Sequence, residues 1–304
     1  MIDTLFTFSN KRGQSFSIND HTNPNKVIAL QSYPESSTEF KNNEVVPQGQ
    51  HGVWSFYSYY GSKVTTFSGV IVAETHQEIV QLEETMKTVL GLPIQPTNTD
   101  DGFVSVSYTL NGEEVSFEGK LFSSIRFNRP IARRLLLNFS FTLKSSNPFI
   151  VGEQNTASGI IGRYKTTFSL PFRVPFSLGK IPINALEITN NGTTFAQTVI
   201  TFRKTNDNDF NLTNPTITNL TTGKSMTIQT AISSPSKSLV LDSESGLVLD
   251  SEKNNVSGLI SDDSEFVLLQ AGLNRLLFTV DETYDGNTYP QQGAFDIDFK
   301  NTYI

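Results

Sequence analysis

Residues 103–121, FVSVSYTLNGEEVSFEGKL, decide the fold class. Val104, Val106 and Tyr108 alternate with Ser105, Ser107 and Thr109, the period of a strand with one buried face. Asn111-Gly112 follows, a pair in which both positions accept positive φ and which therefore suits a type I′ hairpin turn. Val115 and Phe117 continue the pattern on the return. Folding the chain at the turn sets Tyr108 opposite Val115 and Val106 opposite Phe117, so all four share one face. The stretch predicts a β-hairpin with a self-consistent register.

Working outward, the alternation recurs. Leu137, Phe139, Phe141 and Leu143 alternate with Asn138, Ser140 and Thr142. Val53–Tyr60 and Val64–Ala73 read as two further strands joined around Gly61. One helix interrupts this pattern, at residues 76–90, HQEIVQLEETMKTVL. Thr75 and Glu78 form a capping box, which satisfies orphan N–H groups at its start. Ile79, Leu82, Met86 and Val89 fall on one helical face, and Gly91 with Pro93 ends the helix. Such a face has to pack on something, and the surroundings make that something sheet.

Residues 145–183 read differently. Asn155–Gly162 is rich in small polar residues and reads as a loop. Next comes FSLPFRVPFSLG, in which Phe168, Leu170, Phe172, Val174 and Phe176 alternate with polar residues or proline. Pro171 and Pro175 donate no ladder hydrogen bond, so this arm is an edge strand at best, folded over its own domain or docked on a neighbour. From Ile183 onward short strand-like runs follow one another: 185–189, 195–202, 215–220, 225–229, 239–242, 247–250, 266–269 and 276–280. Turn signals such as Asn191-Gly192 and Ala271-Gly272 separate them, the pattern of a β-sandwich. LVLDSES at 239–245 recurs as LVLDSEK at 247–253, read as two similar strands rather than a repeat array.

Composition agrees with this layout. The chain has 304 residues, room for two domains, with 23 Phe and 9 Tyr against 3 Met and 1 Trp. It has no cysteine, which excludes disulfides, thiolate metal sites and a cysteine nucleophile. MIDTLFTFSN has neither a basic nor a long apolar region, so no signal peptide is expected. No membrane-spanning run is present either, and the expected product is soluble and made in a cytoplasm. The net charge of −7 argues against a dedicated nucleic-acid binder. Residues 146–304, with 11 basic and 16 acidic groups, are the more acidic half.

Enzyme signatures are absent: no P-loop, no G-x-S-x-G elbow, no H-E-x-x-H and no G-x-G-x-x-G after a strand. The residues therefore nominate no catalytic, cofactor-binding or metal-binding residue. His21, His51 and His76 read as surface or capping histidines rather than a zinc site. Asp242, Glu244, Asp250, Glu252, Asp262, Asp263 and Glu265 offer oxygen ligands for Ca²⁺ without EF-hand spacing, and read as solvated acidic turns. Trp54-Ser-Phe-Tyr-Ser-Tyr-Tyr60 is either core and cross-strand pairing or a platform for sugar rings. Arg126, Arg129, Arg133 and Arg134 form the single basic cluster, read as partners for carboxylates across a subunit contact. The N-x-S/T sites at Asn138, Asn191, Asn211, Asn219 and Asn255 carry no weight without a secretion signal.

Taken together, the layout resembles the distal tail protein (Dit) family of phages with long, non-contractile tails. The helix in HQEIVQLEETMKTVLGLP within a β-rich first half carries part of that likeness, and LPFRVPF is similar to the family's inter-domain crossover. NPTITNLTTGKSMTI, SLVLDSESGLVLD and EFVLLQAGLNRLLFTV are similar to its galectin-like sandwich, the last through Phe266, Leu269, Gly272, Asn274 and Phe278.

The resemblance implies a mostly β chain in three parts. Residues 1–145 would be a ring-forming belt domain, 146–182 a crossover arm, and 183–304 a galectin-like β-sandwich. It also implies a virion structural protein at the tail tip, made in the host bacterial cytoplasm and without enzymatic activity. Its expected partners are copies of itself in a homohexameric ring, with stacked rings a possibility, the tail tube, the tip or baseplate hub protein and a receptor-binding protein. It expects no specific nucleic-acid binding, no membrane insertion and no cofactor. The alternative is a carbohydrate-binding adhesion module of a phage tail or tail-like particle, such as a bacteriocin. Fold likeness does not carry sugar binding, and residues 183–304 contain neither Trp nor His.

Overall fold

The computed structural model describes residues 4–22, 26–42, 44–45, 54–55, 58–92, 101–130, 135–161, 163–166, 180–205, 211–281 and 293–304. The chain divides into two compact units, Met1–Gly152 with Ile304, and Glu153–Tyr303. The crossover arm expected at 168–179 lies outside the described residues.

The first unit begins with β1 (Phe6–Asn10), β2 (Ser15–Ile18), β3 (Val27–Leu30), β4 (Glu35–Lys41), β5 (Glu44–Val45) and β6 (Trp54–Ser55). Then come β7 (Tyr59–Val72), α1 (His76–Leu90), β8 (Phe103–Leu110), β9 (Glu113–Leu121), β10 (Arg126–Asn128) and β11 (Leu136–Ser145). Strand β12 (Ile150–Ile160) carries the unit boundary within it. The sheet runs β2-β1-β8-β9-β11-β7-β3, antiparallel at every pairing. It curls on itself: Asn19, just past β2, donates its N–H to Ile28 O at 2.7 Å, and its side chain accepts Leu30 N–H at 2.9 Å.

The β8–β9 hairpin forms as the sequence predicts. Tyr108 faces Val115 and Val106 faces Phe117. Asn111 and Gly112 have φ of 52° and 89°, the two positive values that a type I′ turn requires. Alternation on β11 likewise buries Leu137, Phe139, Phe141 and Leu143. Phenylalanine fills the core because its flat rings stack across strands. Phe8 lies on Phe16 at 4.7 Å, Phe67 lies on Phe141 at 5.2 Å, and Phe8 meets Phe67 edge-on at 5.1 Å. Each fully buried ring contributes about 1.5–3 kcal/mol.

Helix α1 lies against β1, β2 and β7 through Ile79, Met86, Val89 and Leu90. Its capping box is formed: Thr75 Oγ1 accepts Glu78 N–H at 3.2 Å, and Glu78 Oε2 accepts Thr75 N–H at 3.0 Å. Thr75→Ala is therefore expected to destabilise the first unit by about 1 kcal/mol in urea unfolding, and Thr75→Ser to leave it nearly unchanged. At the other end Gly91 is extended (φ −67°), so no left-handed cap is made there. The final carbonyls are served by the β1–β2 turn instead. Arg12 donates to Thr88 O at 2.7 Å and to Gly91 O at 3.1 Å, and the Asn10 side chain donates to Val89 O at 3.4 Å.

The second unit contains β13 (Arg163–Thr166), β14 (Lys180–Ile183), β15 (Leu186–Asn190), β16 (Thr198–Lys204), β17 (Leu212–Thr213) and β18 (Thr216–Asn219). It continues with β19 (Lys224–Thr227), β20 (Ala231–Ile232), β21 (Ser238–Asp242), β22 (Leu247–Asp250), β23 (Gly272–Thr279) and β24 (Gly293–Tyr303). One sheet is ordered β12-β24-β16-β21-β22 and another β15-β23-β18-β19. Their inner faces share one apolar core. Phe278 of the second sheet stacks on Phe202 at 4.7 Å and meets Phe295 edge-on at 5.7 Å, both from the first. The two LVLDSE copies are β21 and β22, paired antiparallel around Gly246 (φ 70°).

Four sequence readings are corrected. Gly61 is not a turn: β7 runs through it, because β4 pairs on both sides of it, Thr38 with Lys63 and Phe40 with Tyr60. Of the stretch read as a loop at 155–162, residues 155–160 are strand, since β12 extends to Ile160 beside β24, and Gly162 lies outside the described residues. Thr156 and Ser158 hydroxyls donate to Asp298 and Asp296 at 2.5 Å each, which suits small polar residues to that edge. A Cβ on Gly159 would fall 2.4 Å from the Phe295 ring, so only glycine lets the strand lie there. Residues 266–269 bury Val267 and Leu269 without forming a strand. The expected strand at 195–202 starts only at Thr198.

Candidate functional site

No described groups assemble a reactive centre. His21 and His76 are exposed, and His51 lies outside the described residues. Among the described residues no three or more His, Asp or Glu side chains gather around a possible metal position. The acidic residues of 242–265 hold turns together. Asp242 Oδ1 accepts Glu244 N–H at 2.9 Å, and its other oxygen accepts the Ser245 hydroxyl at 2.8 Å. Asp250 accepts the N–H groups of Glu252 and Asn254 and the Asn254 amide, which hold its carboxyl below the usual carboxylate range, the Asn254 bonds most of all. Glu265 pairs with Lys224.

The arginine cluster is divided. Arg133 and Arg134 lie outside the described residues. Arg129 meets Glu83 at 3.4 Å and the His76 ring at 3.1 Å, both on α1. Glu83 also pairs with Lys87 at 2.5 Å, and these cations hold its carboxyl low, Lys87 first.

The exposed feature that does stand out is a ribbon built on β7. This strand is 14 residues long, and β11 covers it only from Lys63 to Val72. Among the described residues Tyr59–Ser62 has only β4 as a strand partner, and beyond it Glu44 pairs with Ser55 and Val45 with Trp54. Phe40 is 66% exposed and Tyr59 58%, and the Phe40 and Tyr60 rings lie 5.2 Å apart. A two-stranded ribbon bearing exposed aromatics is marginal alone and gains by docking. Of the 54–60 stretch, Trp54 is placed in β6 without a described side chain, Phe56 and Tyr57 are outside the described residues, and Tyr59 and Tyr60 are on this ribbon.

Two buried features escaped the sequence reading. Lys63 points to the core face of β7, beside Thr65 and Phe67, and is only 6% exposed. Among the described residues no acidic group reaches its ammonium, and burial pushes its pKa below the ordinary lysine value. The folded state thus binds fewer protons here than the unfolded chain, so stability rises with pH toward the unfolded lysine value of about 10.4. Lys63→Met is expected to raise the melting point of the first unit at neutral pH, by a margin that shrinks in alkaline buffer; equal gains at both pH values would contradict this.

The second feature is an asparagine network. Asn274 donates to Gln270 O at 2.8 Å and Gly272 O at 2.9 Å, and accepts Gln270 N–H and Asn219 Nδ2, both at 3.0 Å. Asn219 also donates to Leu268 O, and Asn190 to Leu269 O. These amides serve several of the segment's carbonyls, and its strand pairing is confined to one antiparallel bridge, in which Leu269 and Ala196 exchange backbone hydrogen bonds of 2.8 and 3.0 Å.

No protein-family model matches this sequence, and no curated protein does. Solved structures do resemble it. The Dit protein of phage SPP1, described as a paradigm of the hub adsorption apparatus in phages infecting Gram-positive bacteria, is similar over 98% of this chain and 99% of that chain. The TM-score is 0.59 at 9% identity. Two structures of the phage p2 baseplate in its activated conformation, with Ca and with Sr, give TM-scores of 0.41 at 10% and 9% identity, covering 98% and 97% of this chain. The first of these likenesses shows a fold shared with a phage distal tail protein.

Proposed function

We propose that this chain is a non-enzymatic structural component of a phage tail, a distal tail protein. In this reading it forms a homohexameric ring that joins the tail tube to the tip or baseplate and carries receptor-binding components. The observation that supports it most is the co-linear likeness of both units to one distal tail protein. A partial likeness would have supported a sandwich module alone.

The physical surfaces suit the reading. The β4–β7 ribbon offers aromatics for a neighbouring copy, and repeated head-to-tail contacts close a ring. The face of the first sheet opposite its aromatic core carries a row of hydroxyls, Ser17, Thr7, Ser107 and Ser116, across four strands. Thr66 meets Thr142 at 3.1 Å and Ser68 meets Ser140 at 3.3 Å in the same style. That row of hydroxyls wets without holding phosphate, as a DNA conduit requires, while farther along the same face β9 and β11 carry charge, with Glu118 on β9 and Lys120 directly opposite Lys144.

The exposed ribbon aromatics also favour a second reading, a platform for host wall glycan. One double variant separates the two. In the ring reading, Phe40→Ser with Tyr59→Ser removes assembly in light scattering and leaves retention on wall polysaccharide as weak as before. In the glycan reading, assembly stays and retention is lost.

A further inference from the structure

We infer that Lys63 is the charged member of a small oxyanion site at the root of the β4–β7 ribbon, fitted to phosphate, sulfate or a carboxylate. Its pairing with Ser145 is the last that β11 makes with β7. Beyond it, among the described residues, β7 has only β4 beside it. The side chain is buried, yet among the described residues no carboxylate comes within 4.0 Å of its ammonium. A buried cation without a counter-charge destabilises the fold that holds it, and an anion at the same place offsets that cost. The inference stands apart from the ring reading, since it concerns a single copy of the chain.

The residues around Lys63 carry hydroxyls and little bulk. Across the ladder it stands between Thr38 on β4 and Ser145 on β11. One step along the same face the hydroxyls of Ser36 and Thr65 meet at 3.0 Å. Only one of their two protons lies between them, which leaves the other for a further acceptor. The Ser145 hydroxyl is committed, donating to the Glu118 carbonyl. One step the other way along β7 is Gly61, with no side chain to fill the face. Ser36 is exposed and Thr38 half-buried, so the site opens on the β4 side. Glu39, beside Thr38, does not serve the lysine: its side chain lies over Gly61 and accepts the Ser62 hydroxyl at 3.1 Å.

An ammonium with hydroxyl donors on two adjacent strands suits a group of charged oxygens, and offers nothing to a cation or to an apolar ligand. A free anion and the side chain of an Asp or Glu on a docked protein present that same chemistry. Either one binds the folded chain and not the unfolded one, so it raises the stability of the first unit by mass action. Lys63→Met, expected above to be the more stable protein, has no such gain to make.

The test is calorimetry of the full-length protein, wild type and Lys63→Met, titrated with phosphate, sulfate or acetate against chloride at matched ionic strength. The first-unit transition of wild type is expected to rise by about 4 °C once phosphate reaches roughly ten times its dissociation constant. Phosphate and sulfate also stabilise folded proteins in general, by exclusion from their surface. The second-unit transition and Lys63→Met report that general effect, so the lead of Lys63→Met over wild type should shrink as the anion is added. Lys63→Arg, which keeps the charge, should keep the response. A response to acetate equal to that to phosphate would assign the site to a carboxylate, the group a docked Asp or Glu supplies. A response to phosphate and sulfate alone would assign it to a free tetrahedral anion. Wild type that gains no more than Lys63→Met from any of the three would overturn the inference. Should Lys63→Met melt early, Lys63→Gln takes its place under the same expectation.

Discussion

Asn274→Ala is expected to lower the melting point of the second unit by roughly 10 °C, the larger of two effects that single substitutions should produce. The side chain is fully buried and makes four hydrogen bonds, two given and two received. Truncation strands the Gln270 N–H, the carbonyls of Gln270 and Gly272 and one Asn219 amide hydrogen. Each unsatisfied buried group costs about 1–3 kcal/mol, and partial entry of water brings the expected total to about 4 kcal/mol. Asn274→Asp should be as damaging, since it keeps the acceptor, loses both donors and buries a charge. The neighbouring Arg275→Ala removes only a rim ion pair with Glu187 and should stay within about 0.5 kcal/mol. Calorimetry on the full chain resolves the matter, because two units need not melt together. An Asn274→Ala transition coincident with wild type would mean that water already serves these groups.

Gly69→Ala is expected to cost the first unit about 3 kcal/mol and much of its soluble yield. Gly69 lies mid-strand on β7, between β3 and β11, with its missing side chain toward the core. An added Cβ would come 2.2 Å from the Ala29 carbonyl oxygen and 2.6 Å from the Phe139 ring. Phe139 alone could turn aside. The carbonyl belongs to a paired strand, so relief means parting β3 from β7. Gly258→Ala, which meets open space, is the matched control and should lie within about 0.5 kcal/mol. A Gly69→Ala protein that melts with wild type would show that β3 is loosely held.

Why some elements were legible and others not follows from where their information lies. The 103–121 hairpin is encoded locally, because alternation sets the buried face and Asn111-Gly112 sets the turn. The capping box of α1 is equally local. By contrast Gly61 and residues 155–160 are turn-like in composition, and their strand state comes from a partner distant in sequence, β4 in one case and β24 in the other. Strand β24 was readable and overlooked: Phe295, Ile297 and Phe299 alternate with Asp296 and Asp298. Asn274 shares the core-facing parity of Leu276 and Phe278, a signal that a polar residue lay in the core. What it bonded could not be read, because its partners are carbonyls near residue 270 and an amide at residue 219. The opposition of Lys120 and Lys144 was equally unreadable without the register of β9 on β11.

The most direct test of the central claim is the solution mass of the full-length protein, followed across concentration with negative-stain images of the same fractions. The ring reading predicts particles of about 200 kDa, six chains of 33.7 kDa, or twice that for stacked rings, with a central hole. A compact monomer near 34 kDa at every concentration, with no annular particles, would contradict it.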